Sequence, residues 1–290
     1  METCIKCHKE QHETYIHTGM GLSFDTVSGE KSSAEYGDHA VVYDSATDLY
    51  YIPAWNGDDL QITEFRVKEG DTVHKRTETV NYIIGSGHHT NSHLFDINGF
   101  LYQAPITFYT QRKKWDMAPG FEDGFNSRFA RVIGAECMTC HNGLPELAPG
   151  AENRYTVIPK GIDCERCHGP GEAHVNQLSS GVLIDTANDI DYSIVNPRHL
   201  PIEHQIDLCQ RCHLQGVAVL NDGSTFFDFK PGMRIKEHWN IFLPEYTGGT
   251  GKFIMASQSE RLQQSACFIQ SGELSCITCH NPHILSLIHI

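Results

Sequence analysis

The segment between residues 35 and 112 has the hydrophobic pattern of short β-strands. β-Branched and aromatic residues recur, partly alternating with polar ones, at 41–43, 49–52, 60–67 and 80–84. Turn-forming residues separate these runs. Residues 95–102 are apolar on both sides of Asn98-Gly99, a pair typical of a two-residue hairpin turn. The pattern therefore predicts a small antiparallel sheet.

From about residue 130 onward the pattern changes to short segments that favour helix and end at helix-terminating residues. Three of these helix ends are marked by Asn142-Gly143, Gly169-Pro170-Gly171 and Asn281-Pro282. We expect short helices joined by loops in this part of the chain.

A pentapeptide, Cys-x-x-Cys-His, occurs five times. We number the copies motif one (4–8), motif two (137–141), motif three (164–168), motif four (209–213) and motif five (276–280). On a helical turn the first Cys and the His are four residues apart and face the same way. One short segment can therefore supply two thiols and an imidazole to the same group.

This motif is the attachment signature of c-type haem, in which two thioethers hold the porphyrin and the His binds the iron. A lone Cys-x-x-Cys is also typical of half a zinc site or of a redox pair. Ten of the eleven cysteines lie in the five motifs, each followed by His, and this favours five covalently attached haem c groups. The predicted thioether residues are Cys4, Cys7, Cys137, Cys140, Cys164, Cys167, Cys209, Cys212, Cys276 and Cys279. The predicted proximal iron ligands are His8, His141, His168, His213 and His280. The remaining thiol, Cys267, is expected to be a small buried side chain.

The motifs divide the chain into a first haem segment at 1–34, a β-rich insertion at 35–129 and a haem-binding region at 130–284. With 290 residues and five motifs there are 58 residues per haem, and only 40% of the residues are hydrophobic. The expected fold class is α+β, a multihaem cytochrome fold in which short helices and loops wrap around stacked haems. The small antiparallel sheet is inserted into it.

The chain also has enough histidines to provide a second axial ligand for every iron. Thirteen of its 18 histidines lie outside the motifs, which favours bis-histidine coordination over a Met ligand. The best sixth ligands by position are His17, His89 (or its neighbour His88), His174 and His283. His93, His199, His204 and His238 compete for a fifth place.

Charge narrows the choice of partners. The formal net charge is −14, and haem propionates would add to it. This argues against nucleic acid and anionic lipid and favours a redox partner protein with a basic docking patch. No apolar stretch approaches the roughly 20 residues of a membrane span.

Covalent haem attachment implies a periplasmic or otherwise exported protein, so a signal peptide is expected. None is visible before Cys4, and we expect that Met1 is not the native start. Residues 285–290 can be encoded by the mosaic-end sequence of transposon-based library preparation. We interpret them as a sequencing-adapter artefact, which leaves the chain a fragment.

Several motifs and their flanks resemble a known family. Gly161-Ile162-Asp163 before motif three, Gly169-Pro170-Gly171 after it, and Asn281-Pro282-His283 after motif five are similar to the multihaem cytochromes of the cytochrome c-552/4 domain type. Hydroxylamine oxidoreductase-like and octahaem cytochromes are relatives. The resemblance implies bis-His haems packed edge to edge. It also leads us to expect a His near residues 256–258, where this chain has Gln258.

Two functions remain open at this point. A chain of closely packed, mostly bis-His haems would carry electrons, and this is the favoured hypothesis. The alternative is a multihaem oxidoreductase in which one iron has an open site and acts on a small nitrogen or sulfur compound. It would need polar groups over the vacant face.

Overall fold

The computed structural model describes residues 1–37, 40–245 and 256–285. Two compact units divide the chain: Gly19–Ile162, here the sheet unit, and Met1–Thr18 with Asp163–Ile290, here the motif unit. Helix accounts for 25% and strand for 27% of the structure. The interpretation of 285–290 as an artefact falls largely on residues 286–290, which lie outside the described residues.

The strands are β1 (Phe24–Thr26), β2 (Val42–Asp44), β3 (Leu49–Asn56), β4 (Asp59–Lys68), β5 (Asp71–Thr79), β6 (Tyr82–Ile84), β7 (Thr90–Ile97), β8 (Phe100–Tyr109), β9 (Lys114–Met117), β10 (Arg131–Val132), β11 (Glu146–Leu147), β12 (Tyr155–Val157), β13 (Val217–Leu220) and β14 (Trp239–Phe242). The helices are α1 (Lys9–Tyr15), α2 (Ala135–His141), α3 (Glu165–His168), α4 (Glu172–Ser179), α5 (Ile202–Gln210), α6 (Gln258–Gln264), α7 (Ala266–Ser271) and α8 (Cys276–Cys279).

The larger sheet of the sheet unit has the order β1-β6-β7-β8-β10, with β9 also paired to β8, and all its pairs are antiparallel. Asn98 and Gly99 join β7 to β8 with φ angles of 55° and 88°. Two left-handed residues make a turn whose twist matches that of the strands, and Asn-Gly tolerates this conformation best. The predicted hairpin is confirmed. Strands β1 and β10 extend this sheet beyond residues 35–129.

The second sheet has the order β2-β3-β4-β5. Three of the predicted strand segments coincide closely with β2, β3 and β4. The segment predicted at 80–84 is strand only from Tyr82, and β5 was not predicted because its residues are mostly polar. Strand β5 lies at the edge of its sheet and is largely exposed. Its sequence therefore lacks the alternation of apolar and polar residues by which a strand is predicted.

Both sheets contribute to the core of this unit. Leu60 and Ile62 of β4 are fully buried, as is Ile106 of β8, and they belong to one hydrophobic cluster with Phe108 and Trp115. Burying an aliphatic or aromatic side chain of this size contributes about 1.5–3 kcal/mol. The sheet unit therefore has a substantial protein core of its own.

The motif unit is built from short helices, loops and the β13–β14 pair. A small cluster of buried residues, Leu208, Phe229, Ile235 and Trp239, packs beside α5 and β14. Helix α5 contacts both α6 and α8. None of the helices in the described ranges is long and apolar enough to cross a membrane.

Candidate functional site: five motifs and a histidine cluster

Each motif lies on a short helical turn. Motif one occupies a 3-10 turn at Cys4–Lys6, motif two lies in α2, motif three begins at the residue before α3, motif four begins at the end of α5, and motif five begins with α8. In each motif the backbone N–H of the His, or of the residue after it, donates back into the turn. The prediction of short helical motif segments is confirmed.

Local sequence explains where two of these helices begin and end. Helix α3 ends at Gly169, whose φ of 76° suits glycine, and Pro170 cannot continue a helix. Helix α8 is capped at its N-terminus by Ser275, which forms a capping box with Thr278. The Ser275 hydroxyl also donates to Gln205 Oε1 over 2.6 Å, which joins α8 to α5.

The motif cysteines of the motif unit lie close to one another across motifs. Cys4 is hydrogen-bonded to Cys164, and Cys209 is hydrogen-bonded to Cys276. Burial, followed by the neighbouring Cys4, raises the pKa of Cys164 to about 11, so this thiol is protonated at neutral pH. All eleven cysteines are free thiols, the form needed to bond to haem vinyl groups. Motif one is thus a neighbour of motif three, and motif four a neighbour of motif five.

Two imidazoles from distant parts of the sequence meet at motif one. The ring centroids of His8 and His174 are 6.4 Å apart, and the ring planes differ by 26°. His174 lies in α4, the helix after motif three. A predicted sixth ligand is therefore brought against a proximal histidine of another motif.

A second pair forms at motif three. The ring centroids of His168 and His283 are 5.8 Å apart, and the planes differ by 17°. Burial lowers the pKa of His283, and charge on His168 or His8 lowers it further. His283 is therefore neutral at pH 7, the form in which imidazole binds a metal. Tyr15 contacts the edge of His283, with centroids 6.5 Å apart.

These separations fit a haem iron. A metal–nitrogen bond of about 2.0 Å on each side, plus roughly 1.1 Å from nitrogen to ring centroid, puts two axial imidazoles about 6 Å apart. The measured 6.4 and 5.8 Å lie on either side of that value. The residues of motifs one and three therefore suit bis-His haem. Among the described residues, no group of three or more His, Cys, Asp or Glu side chains is arranged to hold a bare metal ion.

Two of these four histidines have the other ring nitrogen engaged. His168 Nδ1 lies 2.8 Å from the carbonyl oxygen of Val195, and His174 Nδ1 lies 2.8 Å from Asp191 Oδ2. Because a carbonyl or carboxylate oxygen only accepts, Nδ1 carries the hydrogen in both rings. Each Nε2 then keeps its lone pair. This is the usual arrangement of metal-binding histidines, in which the second partner fixes the tautomer and the ring orientation.

Buried polar contacts hold motif four in place. Glu260 of α6 accepts from the Gln210 amide over 2.9 Å and from the Gln215 backbone N–H over 3.0 Å. The Ser259 N–H donates to the His213 carbonyl over 3.1 Å. Helix α6 is therefore bonded to both flanks of the motif and to its histidine. Gln258, where the resemblance led us to expect His, begins this helix.

Motif two lies in the sheet unit. The Ser23 hydroxyl donates to the His141 carbonyl over 2.8 Å, and the Asn142 amide donates to the Pro159 carbonyl. In the same unit His89 is exposed, with Nδ1 2.8 Å from Gln111 Nε2. His93 is fully buried, stacked on Trp115 at 4.9 Å, and burial lowers its pKa to about 3. His93 is therefore a neutral core side chain.

Other predicted residues are more exposed. His8, His17, His213 and His280 are exposed, and the backbone N–H of His17 donates to the Thr14 carbonyl over 3.3 Å. The expectation that Cys267 is buried was wrong. It is exposed in α7, a helix of six residues none of which is buried.

Sequence reasoning missed the groups that orient the histidines. Asp191, which accepts from His174, and the Val195 carbonyl, which accepts from His168, lie in a segment without helix or strand, and nothing in its sequence indicated a contact with either histidine. The buried arginines of motifs three and four, Arg166 and Arg211, were also missed. Their recurrence at the third position of two motifs was the available signal.

Comparison with known proteins gives one match. Residues 113–169 match the family model described as cytochrome c554 and c-prime, and this range contains motifs two and three. The match supports a c-type cytochrome family, which implies covalently bound haem c with iron. Proteins of this family are typically exported. No curated protein and no solved structure matches the chain.

Proposed function

We propose that this chain is a c-type cytochrome that carries electrons through five covalently attached, mostly bis-His haems. The observation that supports this most is the pairing of His8 with His174 and of His168 with His283 at separations that suit a shared iron. In the proposal the two cysteines of every motif form the thioethers. The motif histidine is the proximal ligand.

The proposal assigns sixth ligands to two irons. His174 completes the iron of motif one, and His283 completes the iron of motif three. His17 and His89 are proposed for two of the other haems. An iron with two imidazoles has no free position for a substrate, so its chemistry is reversible one-electron transfer. The protein sets the potential through the second partner of each ligand and through burial.

The cysteine contacts support close packing of the haems. A thioether joins the sulfur directly to the rim of the porphyrin, so motifs whose thiols are in contact hold neighbouring rims. Cys4 with Cys164 relates motif one to motif three, and Cys209 with Cys276 relates motif four to motif five. Short distances between rims are what rapid electron transfer along a chain of haems needs.

The charge of the chain supports a protein partner. A net charge of −14 would attract a redox protein with a basic docking patch and raise the rate of encounter at low ionic strength. The same charge disfavours nucleic acid. Covalent haem attachment places the proposed site of action in the periplasm or otherwise outside the cytoplasm.

A multihaem oxidoreductase is the second candidate, and one observation favours it. Ser259 of α6 is bonded to the backbone of His213, and its neighbour Gln258 stands where the resemblance led us to expect His. If that position is the missing sixth ligand, one iron has an open site. A small nitrogen or sulfur compound is the proposed substrate class.

Electron paramagnetic resonance of the oxidised protein tests the proposal. The protein is made in a host that attaches haem c, and intact mass gives the number of haems. We expect five haems with low-spin signals typical of bis-His iron. His174→Ala should turn one low-spin iron high-spin, whereas His74→Ala, at a histidine whose Nε2 is hydrogen-bonded to Glu64, should change no spin state.

The outcomes separate the two candidates. A high-spin iron in the unaltered protein that shifts on adding nitrite, hydroxylamine or sulfite favours the oxidoreductase. A protein that acquires no haem overturns both. An unchanged spectrum for His174→Ala overturns the pairing of His8 with His174.

A further inference from the structure

One more histidine has the arrangement described for His168 and His174. His204 of α5 is half-buried, and its Nδ1 lies 2.8 Å from the carbonyl oxygen of Gly232. A carbonyl only accepts, so Nδ1 carries the hydrogen and Nε2 keeps its lone pair. Fixing one ring nitrogen on a backbone carbonyl is how proteins orient a metal-binding imidazole.

The accepting carbonyl is itself held in place by a tight turn. Lys230, Pro231, Gly232 and Met233 form a four-residue turn in which the Met233 N–H donates to the Lys230 carbonyl over 3.0 Å. Gly232 has a φ of 89°, and Pro followed by a left-handed Gly is typical of a type II turn. The direction of the Gly232 carbonyl is therefore set by the turn.

The turn is fastened to the same helix that carries His204. Arg234 Nε donates to Asp207 Oδ2 over 2.5 Å, and Arg234 is also paired with Glu203. The Ile235 N–H donates to Asp207 Oδ2 over 3.2 Å. Glu203 and Asp207 are on either side of His204 in α5. Three bonds thus fasten the segment that follows the turn to α5, and the turn itself holds the carbonyl that accepts from His204.

Motif five docks beside this histidine. Ser275, the residue before Cys276, donates to the side chain of Gln205, the neighbour of His204. About one turn further along α5, Cys209 is hydrogen-bonded to Cys276. Helix α8 therefore lies along α5 from the position next to His204 to the start of motif four. The His213 of motif four already serves as the proximal ligand of its own haem in the proposed function.

We propose that His204 is the sixth iron ligand of the haem attached to motif five. This inference rests on the proposed function. In this proposal the turn at residues 230–233 orients the His204 imidazole so that its Nε2 is available to bind iron. His280 and His204 would together hold the iron of the haem at motif five and would leave it no position for a substrate.

The test uses the full chain matured with haem c. His204→Ala should retain five haems by intact mass but convert one of five irons from low-spin to high-spin. Added imidazole should restore the low-spin signal by entering the vacated space. His204→Met, which keeps a ligand and fills the same volume, should remain low-spin. It should gain the red charge-transfer band of a sulfur–iron bond and raise the potential of one haem.

Two controls make the assignment specific. His74→Ala removes a histidine of the sheet unit whose Nε2 is hydrogen-bonded to Glu64, and it should leave every low-spin signal unchanged. A chain with Cys276→Ala and Cys279→Ala should carry four haems, and adding His204→Ala to it should convert no further iron.

The results that overturn the inference are distinct from those that overturn the proposed function. Five low-spin irons in His204→Ala, together with a His204→Met spectrum without a sulfur–iron band, refute ligation by His204. A new high-spin iron in the four-haem chain refutes the assignment to motif five. An unaltered protein without haem refutes the proposed function and this inference with it.

Discussion

The Arg211 guanidinium donates to the backbone carbonyl of Arg166 over 2.9 Å, and both side chains are almost fully buried, at 3% and 2% exposure. Each arginine is the third residue of its motif. Phe227 lies 5.5 Å from the Arg166 guanidinium, and Phe229 lies 5.8 Å from that of Arg211. Burial, followed by the charge of Arg211, lowers the pKa of Arg166 to about 10. Arg166 therefore remains charged at neutral pH. The hydrogen bond between the two arginines joins motif four to motif three.

Arg211→Met should destabilise the protein while leaving the motif ligands in place. The variant keeps much of the buried volume but loses a charge-assisted hydrogen bond, which costs about 1.5–3 kcal/mol. A lower midpoint of thermal unfolding of the haem-loaded protein measures this. Arg198→Met, at an exposed arginine, is the control. Equal midpoints for the two variants would refute the role of the bond.

Asp191→Asn should raise the reduction potential of one haem without changing its spin state. The Asp191 carboxylate accepts from His174 Nδ1, and the amide oxygen of Asn is a weaker acceptor. A less electron-rich imidazole stabilises ferric iron less, so the potential rises by on the order of tens of millivolts. A spectroelectrochemical titration measures the shift.

The control for this change is Asp189→Asn, at an exposed carboxylate nearby that removes the same charge. Equal shifts in reduction potential in the two variants would mean that the loss of a negative charge, and not the loss of the hydrogen bond to His174, raises the potential. A shift confined to Asp191→Asn supports the hydrogen bond to His174.

Stability of the sheet unit should depend on the ionised carboxylate of Glu64. Burial raises the pKa of Glu64, but hydrogen bonds from Arg128, His74 and Tyr51 outweigh it and hold the pKa below its ordinary value. A carboxylate of lowered pKa stabilises the fold above its unfolded pKa of about 4.3. That stabilisation is lost as the pH falls through the folded value.

Glu64→Gln should therefore cost about 2–3 kcal/mol at neutral pH and less in acid. Circular dichroism of the β-sheet signal during urea unfolding, between pH 7 and 3, measures the difference. Glu69→Gln changes an exposed carboxylate in the turn between β4 and β5 and is the matched control. A cost that stays constant down to pH 3 would contradict the role of ionised Glu64.

Gly161→Ala should damage the fold just before motif three. Gly161 has a φ of 48°, and an added Cβ would overlap the Gly21 carbonyl oxygen. Gly150→Ala also places Ala at a positive φ, but there nothing lies within 4 Å of the added Cβ. The control should lose about 1 kcal/mol through backbone strain alone. Equal midpoints of thermal unfolding for Gly161→Ala and Gly150→Ala would show that the overlap with the Gly21 carbonyl does not affect stability.

How far the sequence predicts this fold depends on whether a feature is local. The β7–β8 hairpin was predictable because Asn98-Gly99 specifies its own turn. Strand β5 was not, because an exposed edge strand has no alternation of apolar and polar residues to read. The pairing of β1 with β6 joins residues near 25 to residues near 83, and no short pattern encodes such a partner.

The candidate site follows the same division. The ten motif cysteines and five motif histidines can be identified from the sequence because their spacing is fixed within five residues. His174 and His283 were proposed as ligands from their closeness to a motif, yet each meets the histidine of a different motif. Such pairing, like the bond from His204 to Gly232, depends on packing between segments. Whether His17 and His89 bind iron stays a prediction.

The assembly of the motif unit from two separate stretches of chain sets an order of events during biosynthesis. Residues 1–18 pack with residues beyond 162, so His8 leaves the ribosome long before His174, and Tyr15 long before His283. If motif one receives its haem outside the cytoplasm before the later segment has been exported, the iron of that haem would keep an exchangeable sixth position until the segment arrives. Contacts this distant in sequence also form slowly. The earliest haem would then be the last to reach its final coordination, and carbon monoxide or cyanide could trap it in that interval.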